Sequence, residues 1–148
     1  MKRKIIIGIL IIVVICGFIG YRIYSEETAD IVNKNPDEIT DVKSLIAAFD
    51  ADTASASKKY IDKIVEVTGT VKKIDTTGSL VLGEEGHLSE LVVGLDRRHM
   101  KDYEKVKPGS VAVIQGICSG YSKGGGDDLL AALGTTVELK SAGVKNKK

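Results

Sequence analysis

The chain has 148 residues, with 21 Lys and Arg against 20 Asp and Glu, and that length suits one domain of ordinary size. Four of the bases (Lys2, Arg3, Lys4 and Arg22) lie in the first 24 residues with no acid among them, so the remainder holds 17 bases against 20 acids, a net −3. A protein that neutralises several phosphates shows a clear basic excess, so this balance argues against a nucleic-acid partner. Cys16 and Cys118 fall in unlike segments and exclude a disulfide framework.

Lys2, Arg3 and Lys4 precede an uncharged run from Ile5 to Tyr21. At 1.5 Å per residue the run spans roughly 25 Å, the short end of what a bilayer core needs. Arg22 can snorkel, which extends the helix to Tyr24, and Tyr21 and Tyr24 sit where an interfacial aromatic belt belongs. Residues 1–24 therefore read as a membrane anchor, with a transmembrane helix over about 5–21. The leading positive charge places the N-terminus in the cytoplasm and the rest outside, which is periplasmic in a double-membraned bacterium. A cleaved signal peptide lacks an obvious small-x-small site between Gly20 and Ala29. A lipid anchor on Cys16 finds Ile15 before it, where a small residue is needed. Cleavage and lipidation stand as the alternatives to an uncleaved span.

Residues 25–39, SEETADIVNKNPDEI, are polar and aperiodic, and read as a linker. Thr40 is a suitable N-cap, and Val42, Leu45, Ile46, Phe49, Ala56 and Tyr60 recur near helical spacing. One amphipathic helix is expected over Asp41–Tyr60, irregular around Asp52–Ser55. The period then becomes two. Ile64–Ile74 alternates Val65, Val67, Gly69 and Val71 with polar residues, which is a strand with one covered face. Gly69 is read as a bulge or sharp bend. Short strands follow at Ser79–Gly83 and Leu91–Leu95. Asp96 caps a short helix with Met100, Tyr103 and Val106 on one side, and Pro108-Gly109 turns the chain. A long strand covers Ser110–Tyr121. A Gly-rich loop runs from Ser122 to Gly134, and a last strand from Thr135 to Lys140 extends towards Val144.

The order after the first helix is β-β-β-α-β-β. A long bent first strand and a helix between the third and fourth strands are the arrangement of a mainly β, five-stranded OB barrel. The domain is expected over 40–144, with a basic tail at 145–148.

The segment Ala56–Val71, AxxxYxxKIVEVTGTV, and the segment Val106–Tyr121, VKPGSVAVIQGICSGY, resemble the bacterial tRNA_anti-like OB-fold proteins. A short anchor, an acidic linker and a helix before the first strand are also similar to that family. The resemblance covers nearly the whole chain. It implies the OB fold and little about activity, because the family's name reflects likeness to anticodon-binding domains. Relatives often hold a second cysteine able to pair with the one in the GIC segment. Here the comparable strand reads LKSAGV, with Ala142 near that place, and Cys118 is left unpaired.

No catalytic constellation is present. His87 and His99 have no cysteine or second histidine at metal-ligand spacing. Gly124–Gly126 is followed by Asp127-Asp128 and not by the GK[ST] of a phosphate loop. No metal, cofactor or enzymatic activity is expected. The segments SLVLG and LVVGL contain no aromatic platform for bases. Tyr121, at the end of a strand, is the one ring expected to face a ligand. OB barrels bind with their second and third strands and the flanking loops. The expected ligand-binding residues are therefore Asp75, Thr76, Thr77, Tyr121, Lys123, Asp127 and Asp128. The expected function is a membrane-anchored, extracytoplasmic binding module for a protein, peptide or glycan. The alternative is a nucleic-acid-binding OB domain.

Overall fold

The structure, a computed structural model, describes residues 12–18, 30–75, 78–124 and 134–145. The chain divides into two units, Met1–Asp30 and Ile31–Lys148. In the first, residues 12–18 are helical, and the rest of the apolar run lies outside the described residues. Among the described residues, no helix is long and apolar enough to cross a membrane.

The second unit begins within the expected linker. Ile31–Asn33 forms a 3-10 turn in which Ile31 and Val32 are buried. The Gln115 amide clamps this turn by donating to the carbonyls of Ile31 at 2.6 Å and Lys34 at 2.7 Å. Strand β1, Glu38–Asp41, then lies parallel to strand β2, Ile64–Asp75, in the register Glu38↔Val65 to Asp41↔Thr68. The linker expected up to residue 39 is thus folded from Ile31 onward. Its ordering depends on backbone bonds and on a distant glutamine, and neither leaves a hydrophobic period in the segment.

Helix α1 spans Val42–Ala51. Its cap is Asp41, not Thr40: the Asp41 carboxylate accepts from the Ser44 amide at 3.0 Å and hydroxyl at 2.7 Å. The expected irregularity is a full break. Asp52 takes an extended conformation (φ −149°) and its N–H donates to the Ala48 carbonyl. Its carboxylate then caps helix α2, Thr53–Tyr60, through Ala54 and Ser55. Val42, Leu45, Ile46 and Phe49 are buried on the barrel.

Strands β3 (Ser79–Leu82), β4 (Glu90–Leu95), β5 (Val111–Lys123) and β6 (Thr135–Val144) complete the sheet. The order β2-β3-β4-β6-β5 closes through the β2–β5 pairing into a five-stranded barrel, with β4–β6 parallel. This is the OB arrangement, with β1 added along the free edge of β2. Val65, Val67, Val71, Leu80, Leu82, Leu91, Val93 and Ile114 are wholly buried inside. Strand β1 covers Val65–Thr68, the part of β2 that β3 does not reach.

Gly69 is not a bulge. It pairs in register with Ala112, and the irregularity in β2 falls between Val71 and Lys73. A Cβ at Gly69 would stand 2.3 Å from Val42 Cγ2, so the position is glycine because α1 crosses it there.

Between β4 and β5, residues Arg97–Lys105 form a 3-10 helix capped by Asp96. Val106 is buried and Tyr103 packs on the core, but Met100 is exposed. With three residues per turn, His99, Asp102 and Lys105 also stack along one side. Asp102 is buried, where its carboxylate accepts from the Val144 amide at 3.0 Å. The same carboxylate lies 2.5 Å from Lys105 Nζ and 3.2 Å from His99 Nδ1. Strand β6 thus begins against α1, where the Thr135 hydroxyl donates to Asp50 at 2.5 Å. It ends against the 3-10 helix. The two helical elements cover opposite mouths of the barrel.

Candidate ligand groove

Of the residues expected to bind ligand, Asp75 ends β2, is exposed, and accepts from the Gly78 amide across the turn at 3.1 Å. Thr76, Thr77, Asp127 and Asp128 lie outside the described residues. Tyr121 and Lys123 come together at the C-terminal end of α1. The Tyr121 ring stacks on Phe49, with centroids 4.9 Å apart and planes at 29°, and remains 40% exposed. Lys123 Nζ donates to the Asp50 carbonyl at 3.0 Å. Both side chains fasten α1 to β5, so one face of the expected ligand-facing ring is already occupied.

A concavity opens beside them. It has a volume of about 380 Å³ and lies between α1, the middle of β2 and the loop after β3. Its floor is Thr68–Thr70 and Gly83, where two glycines keep side chains out. A Cβ at Gly83 would stand 2.9 Å from Lys72 Cδ and 3.3 Å from the Ser89 carbonyl. Asp41, Lys43 and Asp50 line one wall, and Glu84, His87 and Ser89 the other.

The walls are joined by charge. Glu84 lies 3.6 Å from Lys43 and 3.5 Å from His87. Lys72 Nζ donates to the His87 carbonyl at 2.9 Å and lies 3.7 Å from Glu90, which holds the far wall to β2. Ser89 accepts from the Thr135 amide at 3.0 Å. The Ser44 hydrogen bonds hold the Asp41 carboxyl below its ordinary value, so it is charged at neutral pH. With Asp50 and Glu84, three carboxylates face one lysine and one histidine across the opening. This arrangement repels phosphate and offers donors and acceptors to a polar or cationic group. Among the described residues no cluster of three or more His, Cys, Asp or Glu could hold a metal. A second, more open hollow lies between Lys58, Asp62 and Tyr121 and has little wall.

The outer face of the β3–β4 pair, where OB barrels commonly bind, carries Ser79, Val81, Glu90, Val92 and Gly94, with no aromatic ring. The groove could not be read from the sequence as a site, because its walls come from segments some 40 residues apart. Gly69 and Gly83 were the available signals.

Comparisons agree with the fold. A Klebsiella pneumoniae subsp. pneumoniae MGH 78578 protein described as a "putative nucleic acid-binding lipoprotein" is similar, at 21% identity and a TM-score of 0.51. The match covers 73% of this chain and 91% of that one. A Leishmania major Friedlin protein described as a "putative aspartyl-tRNA synthetase" matches at 9% identity and a TM-score of 0.37, over 83% of this chain and 22% of that one. No curated protein matches. The tRNA_anti-like family matches residues 1–127, which takes in the N-terminal segment, α1, α2 and β1 to β5. With the closed β2-β3-β4-β6-β5 barrel, that match identifies the chain as a member of the tRNA_anti-like family of OB-fold proteins.

Proposed function

We propose that this protein is a binding module without catalytic machinery, displayed outside the cytoplasm by an N-terminal transmembrane anchor. The groove beside α1 takes a polar segment of a peptide, a glycan or a partner protein's loop. The observation that carries this reading is the groove itself. It has a floor stripped of side chains and a rim of hydrogen-bonding groups, and its charged groups pair with one another instead of activating a nucleophile. The anchor rests on Lys2, Arg3 and Lys4 before the apolar run. It is supported by the helical residues 12–18.

A second reading, a nucleic-acid-binding OB domain, is favoured by the description of that same Klebsiella protein. The acidic groove and the ring-free β3–β4 face weigh against it, since single strands are held by basic grooves and aromatic platforms.

The full chain in mild detergent is applied to peptide and glycan arrays, and hits are titrated against the chain and against Thr70→Trp, which fills the groove. Binding should be lost in the variant. Binding that Thr70→Trp leaves intact removes the groove from the reading. A complex with single-stranded RNA or tRNA that is micromolar or tighter, and that persists above about 200 mM salt, replaces the first reading with the second. A C-terminal alkaline phosphatase fusion should be active, and an inactive one reverses the topology.

A further inference from the structure

We propose that the open hollow between α2 and the end of β5 is a saccharide subsite, in which the Tyr121 ring stacks on a neutral pyranose. It shares no residue with the groove beside α1, and binding at one does not require the other. Phe49, wholly buried, stacks on one face of Tyr121 with centroids 4.9 Å apart, and Tyr60 lies 6.1 Å from Phe49 in turn. The core thus holds the ring in place, yet Tyr121 is 40% exposed and lines the hollow. A pinned ring loses little freedom when a ligand settles on it. Beside it, a Cβ at Gly120 would meet nothing within 4 Å. Gly120 is not among the glycines with positive φ. The extra residue of the local bulge is Ser119, since Cys118 pairs with Leu139 and Gly120 with Glu138. Neither packing nor backbone requires glycine there, and the missing side chain keeps the space beside the ring clear.

The rim supplies the polar half of the site. Asp62 stands at φ 60°, where glycine is easier, and its amide donates to the Cys118 carbonyl at 2.9 Å. The turn after α2 therefore holds a carboxylate at the hollow. Among the described residues, the Asp62 carboxylate, the Lys58 ammonium and the Ser57 hydroxyl make no hydrogen bond or ion pair, and all three residues line the hollow. A carboxylate only accepts, an ammonium only donates, and a hydroxyl does both. Neighbouring sugar hydroxyls each offer a donor and an acceptor and so match this set. The weakly positive C–H bonds of a pyranose face lie on the negative face of an aromatic ring. Charge separates the alternatives. Lys58 and Asp62 cancel, Lys63 beside Asp62 and Glu138 opposite Gly120 add one charge of each sign, Lys59 is paired with Glu38, and Lys123 lies against Asp50. A neutral ligand meets no net field here, whereas a nucleic-acid strand brings phosphates and finds no basic excess. A prolyl segment also stacks on rings, but it brings carbonyl acceptors and no donor for Asp62. The hollow has little wall, which lets a longer glycan pass through with one unit on the ring.

The test uses the full chain carrying 3-fluorotyrosine, in a detergent without a sugar headgroup. The chain has five tyrosines, and the fluorine signal of Tyr121 is the one lost in Tyr121→Phe. Neutral tetrasaccharides of glucose, mannose, galactose and N-acetylglucosamine units are titrated. At least one should shift the Tyr121 signal saturably, with a Kd below about 10 mM. Asp62→Gly suits the left-handed backbone and removes the carboxylate, and it should weaken binding at least about fivefold. Gly120→Val places a side chain suited to strands in the open space and should abolish the shift. The other tyrosine signals should keep their positions in both variants, which reports an intact fold. No saturable shift with any of these sugars, or binding undiminished in either variant, overturns the site. Binding lost in Thr70→Trp but kept in Gly120→Val moves the sugar to the groove beside α1 and also overturns it. A shift given by micromolar single-stranded RNA where the sugars give none assigns the ring to a base and overturns the saccharide.

Discussion

Gly69→Ala isolates the contact that seats α1 on the barrel. The added Cβ would stand 2.3 Å from Val42 Cγ2, 3.2 Å from Val42 Cβ and 3.3 Å from Leu82 Cδ2. Val42 is β-branched, so its χ1 has little freedom to swing the methyl aside. Leu82 is wholly buried and has no space to retreat into. Overpacking of this kind costs about 1–3 kcal/mol. Replacing glycine where its φ is not positive returns about 0.4–1 kcal/mol by restricting the unfolded chain. The net expectation is a loss of about 1–2 kcal/mol, read as a fall in the melting temperature of about 4–8 °C per kcal/mol. Val42→Ala alone should also destabilise, because it removes buried methyl groups. The double variant decides the cause: the alanine methyl at 69 then occupies space vacated at 42. Its loss should fall short of the sum of the two singles by at least about 0.5 kcal/mol. Strict additivity, or a Gly69→Ala chain that melts higher than the parent, refutes the claim that the helix dictates the glycine.

Three further outcomes are expected. Gln115→Leu should destabilise by about 1–3 kcal/mol, because two carbonyls lose their donor; hydrogen exchange should rise first over residues 31–34, and uniform exchange changes would contradict the clamp. The Arg98 side chain, which donates to both Asp96 oxygens at 2.9 and 3.1 Å, holds the Asp96 carboxyl down to about 2. Its folded value lies below the unfolded one, so its stabilisation is complete above about pH 4 and is lost as pH falls towards 2; Arg98→Ala should move the Asp96 carbon-13 titration back to the ordinary carboxylate range. Burial pushes the Cys118 thiol up to about 11. With Cys16 replaced by serine, a disulfide reagent at pH 8 should therefore label the chain only as fast as the barrel opens, and prompt labelling would place Cys118 outside the core.

The barrel was legible because its strands bury one face each. Val65, Val67 and Val71 in β2, and Leu91 and Val93 in β4, alternate with polar residues, and the structure buries those five side chains completely. The same period-two signal is too short to see in β1, where Glu38–Asp41 contributes four residues and an exposed Ile39. Asp52 could be suspected as an irregularity, but only its extended φ shows that one residue closes α1 and opens α2. Gly69 is visible in the sequence as a special position, but the bulge it suggests falls elsewhere, between Val71 and Lys73. A glycine reports that something lies close by, and here the neighbour is Val42, 27 positions earlier and in another element.

The candidate site was hidden for a related reason. Composition counts charge along a line, whereas a ligand or a surface meets it in space. The net −3 of the outer part is a sum over the whole domain. Within it, Asp41, Asp50 and Glu84 gather at one mouth, and Arg97, Lys101 and Lys107 lie at the other. The parallel run of β6 beside β4 sets these groups apart, since that strand starts on Asp50 and ends on Asp102. A domain with this separation does not act as a weakly acidic sphere. It has one end where carboxylates gather and one where exposed bases do.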